Sequence, residues 1–196
     1  MSALTVDQSF HGNGWDGLVR IWEETDAPEG CKVEIIEGII TVSPQPSNNH
    51  NDIADEIQRV LYTAVPRDWG VYQTLGAAVP SRSGLFIPDL AVVPKAVLRG
   101  EGGGFVPAAG AELVVEITSV ANASHDRLTK AAGCAQAGVP LYLLVDSFAP
   151  GGPTVTLYGE PKNAVYRVLR AVKFGEEIRL PAPFDVTLDT AEFPIS

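Results

Sequence analysis

Apolar residues recur along this chain with two different periods. In 14–25, Trp15, Leu18, Val19 and Trp22 return at helical spacing, which predicts a short helix with both tryptophans as core anchors. Lys32–Ile36 and Ile39–Ser43 read as two strands joined by Glu37-Gly38, a hairpin signal. Ser43-Pro44-Gln45-Pro46 closes the hairpin, because proline cannot continue a ladder. A helix capped by Ser47 or Asn48 is predicted to run to about Val65, with Ile53, Ile57, Val60, Leu61 and Ala64 as its apolar stripe. His50 falls in its first turn and reads first as a capping or surface histidine, with a role in a site as the alternative.

Farther along, 70–80 and 85–93 read as strands separated by a turn. The glycine-rich segment 97–110, with Gly102-Gly103-Gly104, reads as a mobile surface loop. It is not a phosphate cradle, since no GxxxxGK[ST] follows and the next element is a strand. Segments 112–118 and 139–146 are mostly apolar, the pattern of strands buried on both faces. Between them a helix capped by Ser124 is predicted to reach about Ala137, with Gly138 ending it. The remainder reads as short strands at 154–158, 164–169, 177–180 and 184–188. This order predicts an α/β fold: one mixed central β-sheet flanked by helices, with an N-terminal hairpin and extra C-terminal strands. At 196 residues it is expected to form a single domain, 1–196, with a core at about 47–146.

Composition narrows the function classes. Hydrophobic content of 45% and charged content of 19% are those of a soluble globular protein. No apolar run approaches the roughly 20 residues that span a bilayer, and the start lacks a basic n-region and an apolar h-region. No membrane association and no signal peptide are therefore expected. Cys31 and Cys134 show no CxxC spacing and read as reduced thiols of a cytoplasmic protein. The formal net charge of −10 argues against tight non-specific nucleic-acid binding and weighs against any nuclease reading.

The chemistry is concentrated in 86–146, where two carboxylates interrupt apolar runs. Alternation puts Asp89, Ala91 and Val93 on one side of their strand, and Glu112, Val114, Glu116 and Thr118 on one side of theirs. If the two strands are neighbours, Asp89 and Glu116 share a crevice. Two close carboxylates repel unless a cation lies between them, and a hard divalent ion such as Mg²⁺ or Mn²⁺ suits oxygen ligands. The competing reading is two strand-end carboxylates in separate hydrogen bonds. Asp126 and Lys130 stand at i and i+4 on the next helix, on a stripe that continues to Cys134. They form either a surface ion pair of small worth or a lysine leaning toward the carboxylates.

These pieces, in order, resemble a known family. Glu34-Ile35-Ile36-Glu37-Gly38, Ser43-Pro44 and His50 are followed by Pro88-Asp89, Glu116 at the end of an apolar strand, Asp126 and Lys130. Gly138-Val139-Pro140 and Tyr142-Leu143-Leu144-Val145-Asp146 complete the set. Together they are similar to the Uma2 family (DUF820) of the PD-(D/E)XK nuclease-like superfamily. The resemblance implies a restriction-endonuclease-like core and Asp89 and Glu116 as metal ligands. In the superfamily's common arrangement the lysine stands two residues after the glutamate. Thr118 occupies that position here, and Lys130 matches the helix lysine that takes its place in Uma2-like proteins. Glu34 matches an acidic position that reaches the site from the hairpin. The chain departs from the family pattern at Ser119-Val120-Ala121, at Cys134 and at Leu141-Tyr142-Leu143.

The expectation is a Mg²⁺- or Mn²⁺-dependent endonuclease acting on DNA. Asp89, Glu116 and the main chain at Ile117 would hold the metal, and Lys130 and Glu34 would assist catalysis. The alternative is a catalytically inactive nuclease-like scaffold that binds nucleic acid or a protein. The tail, with Val155, Leu157, Tyr158, Val165 and Tyr166, is expected either to cover the core or to form a homodimer surface.

Overall fold

The structure, a computed structural model, describes residues 4–6, 14–100, 103–120 and 122–195. Gly102 of the glycine run, Ala121 of the loop after Glu116 and the first three residues lie outside the described residues. Strand β1 (Leu4–Val6) and helix α1 (Gly14–Glu24) precede the hairpin β2 (Lys32–Ile36) and β3 (Ile39–Ser43). Helix α2 (Asn48–Ala64) leads to four short strands: β4 (Trp69–Tyr72), β5 (Gly76–Val79), β6 (Gly84–Phe86) and β7 (Leu90–Pro94). Helix α3 (Lys95–Gly100) and strand β8 (Phe105–Pro107) occupy the predicted loop, and β9 (Leu113–Ile117) follows. A π-helical turn (His125–Lys130) runs into α4 (Ala131–Ala137) and then β10 (Leu141–Asp146). The tail is β11 (Thr154–Lys162), β12 (Val165–Lys173), β13 (Glu177–Leu180) and β14 (Val186–Asp189).

The expected mixed central sheet is present, in the order β12-β11-β10-β9-β7-β4, with β9 and β10 parallel and the other pairs antiparallel. The hairpin does not extend it. It belongs to a second six-stranded sheet, β1-β3-β2-β6-β5-β8. The two stretches expected to be single strands, 70–80 and 85–93, each break and pass from one sheet to the other. Thr74, at φ 57°, lies in the first break, and Pro88 lies in the second. Proline has no N–H for a ladder and a fixed φ, so the chain leaves one sheet and enters the next at that step.

Each face of the central sheet has its own core. Leu90, Val92, Leu113, Val115 and Ile117 meet Ile53, Ile57 and Leu61 of α2, and β13–β14 closes that side with Ile178, Leu180 and Leu188. The tail therefore covers the core, as one of its two readings expected. On the opposite face Ala91, Val93, Val114, Tyr142 and Leu144 pack against Ile36, Phe86 and Cys134, which joins the two sheets through α4. Helix α1 seals the outer face of the hairpin sheet, where Trp15, Leu18, Ile21 and Trp22 pack on Ile35 and Leu85. The Trp22 indole also donates to the Val33 carbonyl at 2.6 Å, so the tryptophans are anchors.

Gly133 lets α4 approach this interior. A Cβ there would stand 2.6 Å from the ring of the buried Phe86. Gly133→Ala is expected to destabilise the fold by about 1–3 kcal/mol through overpacking, despite alanine's better helix propensity. Urea denaturation checks this, and an unchanged midpoint would show that Phe86 can give way.

Candidate active site

The antiparallel register of β7 and β9 pairs Leu90 with Val115 and Ala91 with Val114. One further step along that register sets Asp89 opposite Glu116. Both side chains then emerge on the face that looks toward the hairpin sheet, at the end of the strands. Strand β2 crosses there. Its alternation sends Ile35 outward to α1 and turns Lys32, Glu34 and Ile36 inward. Asp89, Glu116, Glu34 and Lys130 all meet at this junction, and all four are buried.

Asp89 is held from three directions. Its Oδ2 accepts from the Ile117 amide at 2.7 Å and lies 2.9 Å from His50 Nε2. Its Oδ1 pairs with the Lys32 ammonium, which also donates to the Ile87 carbonyl at 3.3 Å. Burial alone would raise the Asp89 carboxyl. The His50 hydrogen bond and the Lys32 charge outweigh it and hold the group well below the usual carboxylate range. His50 reaches Asp89 because Ser47 caps α2, accepting from the His50 amide, and points the first turn at the strand ends.

Lys130 lies deeper. Its Nζ stands 3.0 Å from Glu34 Oε1, 3.2 Å from Asp126 Oδ1 and 3.3 Å from Glu116 Oε1. Glu34 Oε1 also accepts from the Ile87 amide at 2.7 Å, which ties β2 to the sheet-crossing step. The approaches to Glu116 and Asp126 are charge contacts without aligned hydrogen bonds, so Glu116 Oε1 and Asp126 Oδ1 keep an unmet acceptor. Burial pushes Glu116 well above the ordinary range even against the pull of Lys130. Four carboxylates (Glu34, Asp89, Glu116 and Asp126) face two ammonium groups (Lys32 and Lys130), an excess of two negative charges when all are ionised.

Burial has a measurable consequence at Asp126, to which the neighbouring Asp89 and Glu34 charges add. Burial raises its carboxyl from 3.8 to about 6, with Lys130 opposing. A carboxyl raised in the folded state contributes stability that is complete below its unfolded pKa and is lost as pH rises through the folded one. Stability should therefore fall between about pH 4 and pH 6 on account of this group. Asp126→Asn is expected to remove that fall and to gain up to about 3 kcal/mol at pH 7, at roughly 1.4 kcal/mol per pKa unit. Denaturant titrations at pH 4, 6 and 7.5 measure it. A variant weaker than wild type at pH 7.5 would mean that the Lys130 contact outweighs burial.

Thr118, two residues after Glu116, donates its hydroxyl to Asp146 at 3.1 Å. Asp146 is gripped by Arg127 through two hydrogen bonds of 2.7 and 2.8 Å, which anchors the π-helical turn bearing Asp126 and Lys130 to the end of β10. Ser124, expected as the helix cap, has helical backbone angles and caps nothing. The site opens into a groove of about 300 Å³, walled by neutral polar residues including Ser43, Ser47, Asn49, Ser119 and Asn122.

Asp89, Glu116, Lys130 and Glu34 are thus brought together, with the Ile117 main chain beside them. Asp126 and Lys130 do not form a surface pair, and His50 is not a surface histidine: its side chain is 12% exposed and bound to Asp89. Lys32 was overlooked altogether. The available signal was its i, i+2 relation to Glu34, which puts both on one strand face.

Among the described residues, no three His, Cys, Asp or Glu side chains are arranged to close around a metal ion. The donors that do exist fit a hard cation: buried carboxylate oxygens, two of them orphaned, in a cluster that carries surplus negative charge when all are ionised, beside an open groove. A hard divalent ion that keeps several of its waters needs only one or two protein carboxylates, a number that Asp89 and Glu116 could supply.

Comparison with known proteins agrees with this architecture. No curated protein matches the chain. Among solved structures, the chain is similar to "a putative nuclease belonging to DUF820" from Anabaena variabilis, with 20% sequence identity and a TM-score of 0.64 over 89% of this chain and 92% of that one. That likeness shows a shared α/β fold. The model of a family described as "Uma2: Putative restriction endonuclease" matches residues 19–191, which include both sheets' site-bearing strands, and the chain belongs to the Uma2 family.

Proposed function

We propose that this protein is a metal-dependent endonuclease that hydrolyses phosphodiester bonds of DNA. The observation that carries the reading is the buried cluster of Asp89, Glu116 and Lys130, overcharged with carboxylates and opening into a polar groove. The family's description as a restriction endonuclease points the same way, as does the description of the similar Anabaena protein as a nuclease.

A divalent ion, Mg²⁺ or Mn²⁺, held by Asp89 and Glu116 with the Ile117 main chain beside them, would polarise a phosphate oxygen and lower the pKa of a bound water. The chain's own groups prepare that chemistry. The Ile117 amide and His50 fix Asp89 Oδ2, which leaves Oδ1 as the oxygen for a cation. Lys130 keeps Glu116 and Glu34 together against their mutual repulsion, and Glu34 in turn locks Lys130 to the Ile87 step. Lys130 also lines the groove, where its charge favours the phosphoryl transition state. The seryl and asparagine groups on the wall can donate to backbone phosphates without reading sequence. The overall charge of −10 makes a cation-bridged approach of phosphate the favourable one.

A second reading, a nuclease-like scaffold without catalysis, is favoured by one observation: Lys32 already occupies Asp89 Oδ1. The two free cysteines fit a reducing, cytoplasmic setting. Strand β12 is an edge with Val165 and Val168 exposed, and this edge would be the surface of a homodimer, which sedimentation would detect.

Plasmid, single-stranded DNA and RNA incubated with Mg²⁺ or Mn²⁺ test the catalytic reading. Wild type should cleave DNA only with the metal, and chelation should stop it. Identical backgrounds for wild type and Lys130→Ala on every substrate would leave the scaffold.

A further inference from the structure

Two lysines meet the carboxylates, and they are not equivalent. The Lys130 side chain is 3% exposed and enclosed by Glu34, Glu116 and Asp126. The Lys32 side chain is 21% exposed, lies on the groove wall and contacts a single carboxylate. That contact is on Asp89 Oδ1. The other oxygen, Oδ2, is committed to the Ile117 amide and to His50. Any cation taken up by Asp89 must therefore bind Oδ1, where the Lys32 ammonium sits.

Geometry also lets Lys32 leave. It stands at the start of β2, next to Cys31 outside the strand, and its remaining hydrogen bond is a 3.3 Å contact to the Ile87 carbonyl. A long side chain on a groove wall can turn toward solvent or phosphate without leaving a buried charge behind. Lys130 has no such exit.

We propose that Lys32 is a displaceable ammonium that holds the cation position on Asp89 Oδ1 and is released into the groove when a divalent ion binds there. The proposal rests on the metal-dependent reading and adds to it the residue that answers the metal. It also resolves the tension over the occupied Asp89: the lysine keeps the carboxylate neutralised in the metal-free protein, and the exchange leaves an ammonium free to face a substrate phosphate.

The test uses the full chain and Mn²⁺ as the probe. Calorimetry should show Mn²⁺ binding about tenfold tighter in Lys32→Met, where no ammonium competes, and within about threefold of wild type in Lys32→Arg. Amine acylation of the wild type, read by peptide mass spectrometry, adds a measurement that needs no variant. Acylation at Lys32 should rise severalfold on saturation with Mn²⁺, while the exposed Lys95 stays constant as reference. Equal or weaker Mn²⁺ binding in Lys32→Met overturns the proposal, and so does tighter binding with Lys32 acylation unmoved, which would be a general charge effect. In both cases wild-type Mn²⁺ binding leaves the metal-dependent reading standing. Absence of Mn²⁺ binding in wild type overturns both.

Discussion

Replacing Lys130 with methionine is expected to destabilise the protein by about 3–5 kcal/mol at pH 7.5, the cost of breaking a buried charge network by removing one partner. Methionine nearly conserves volume, so the loss is electrostatic rather than a cavity effect. Burial alone would pull the Lys130 ammonium down, yet Glu116, Glu34 and Asp126 outweigh it and hold the group well above the ordinary lysine range. A raised folded pKa contributes stability that is complete below the unfolded value, near 10.5, and is lost only above it. The full contribution is therefore present at pH 7.5. Without the ammonium, three buried carboxylates face one another, and the variant can recover only by taking up protons. The gap to wild type should shrink as pH falls from 7.5 to 5, because Asp126 and Glu116, already raised, protonate first. Denaturant unfolding at both pH values measures it. A loss below about 1 kcal/mol at pH 7.5, or a gap that widens on acidification, would show that Lys130 does not neutralise the cluster. Metal-dependent cleavage should fall to background even where the variant remains folded.

The sequence made the strongest parts of this site readable, for local reasons. The hairpin was legible because Glu37 and Gly38 both take positive φ, 50° and 82°, as a tight two-residue turn between twisted strands requires. Asp89 and Glu116 were legible because strand alternation assigns faces without knowledge of the partner, and the β7–β9 pairing then brought those faces together. The four-residue spacing put Lys130 on a stripe with Asp126 and left a surface pair open, and the family resemblance gave it a place in the site. The two-sheet architecture was not, because 70–80 and 85–93 are apolar almost throughout, and a strand that changes sheets keeps that pattern. Only the interruptions, around Thr74 and at Pro88, mark the crossing. Lys32 was missed, and His50 was read first as a capping or surface residue, for another reason. They stand 57 and 39 positions from Asp89, so no local period links them to it. Their contacts exist because β2 and the first turn of α2 converge on the ends of β7 and β9, which is tertiary information.

Asp89→Asn should separate chemistry from folding, where Lys130→Met damages both. Asparagine keeps the shape of the side chain and an oxygen that can accept from the Ile117 amide, so the strand ends remain joined. It removes the charge that Lys32 and His50 answer. Lys32 is partly exposed and can turn to water, so the folding cost should stay near 1–2 kcal/mol, well below that of Lys130→Met. The pH dependence runs opposite to that of the deeper cluster. A depressed carboxyl contributes stability above its unfolded pKa of 3.8, and that contribution is lost as pH falls through the folded value. Wild type should thus lead the variant at pH 7 and lose the lead only below about pH 4. Function should respond far more. With Oδ1 no longer anionic, Mn²⁺ binding measured by calorimetry should disappear, and cleavage should fall by about 10³-fold or more, about 4 kcal/mol of transition-state stabilisation. A folded Asp89→Asn protein that still bound Mn²⁺ with wild-type affinity would move the cation away from Oδ1 and toward the orphaned oxygens of Glu116 and Asp126. The metal would then sit beside Lys130 instead of at the Asp89 mouth, and the Lys32–Asp89 pair would be a structural clasp between the hairpin sheet and the central sheet.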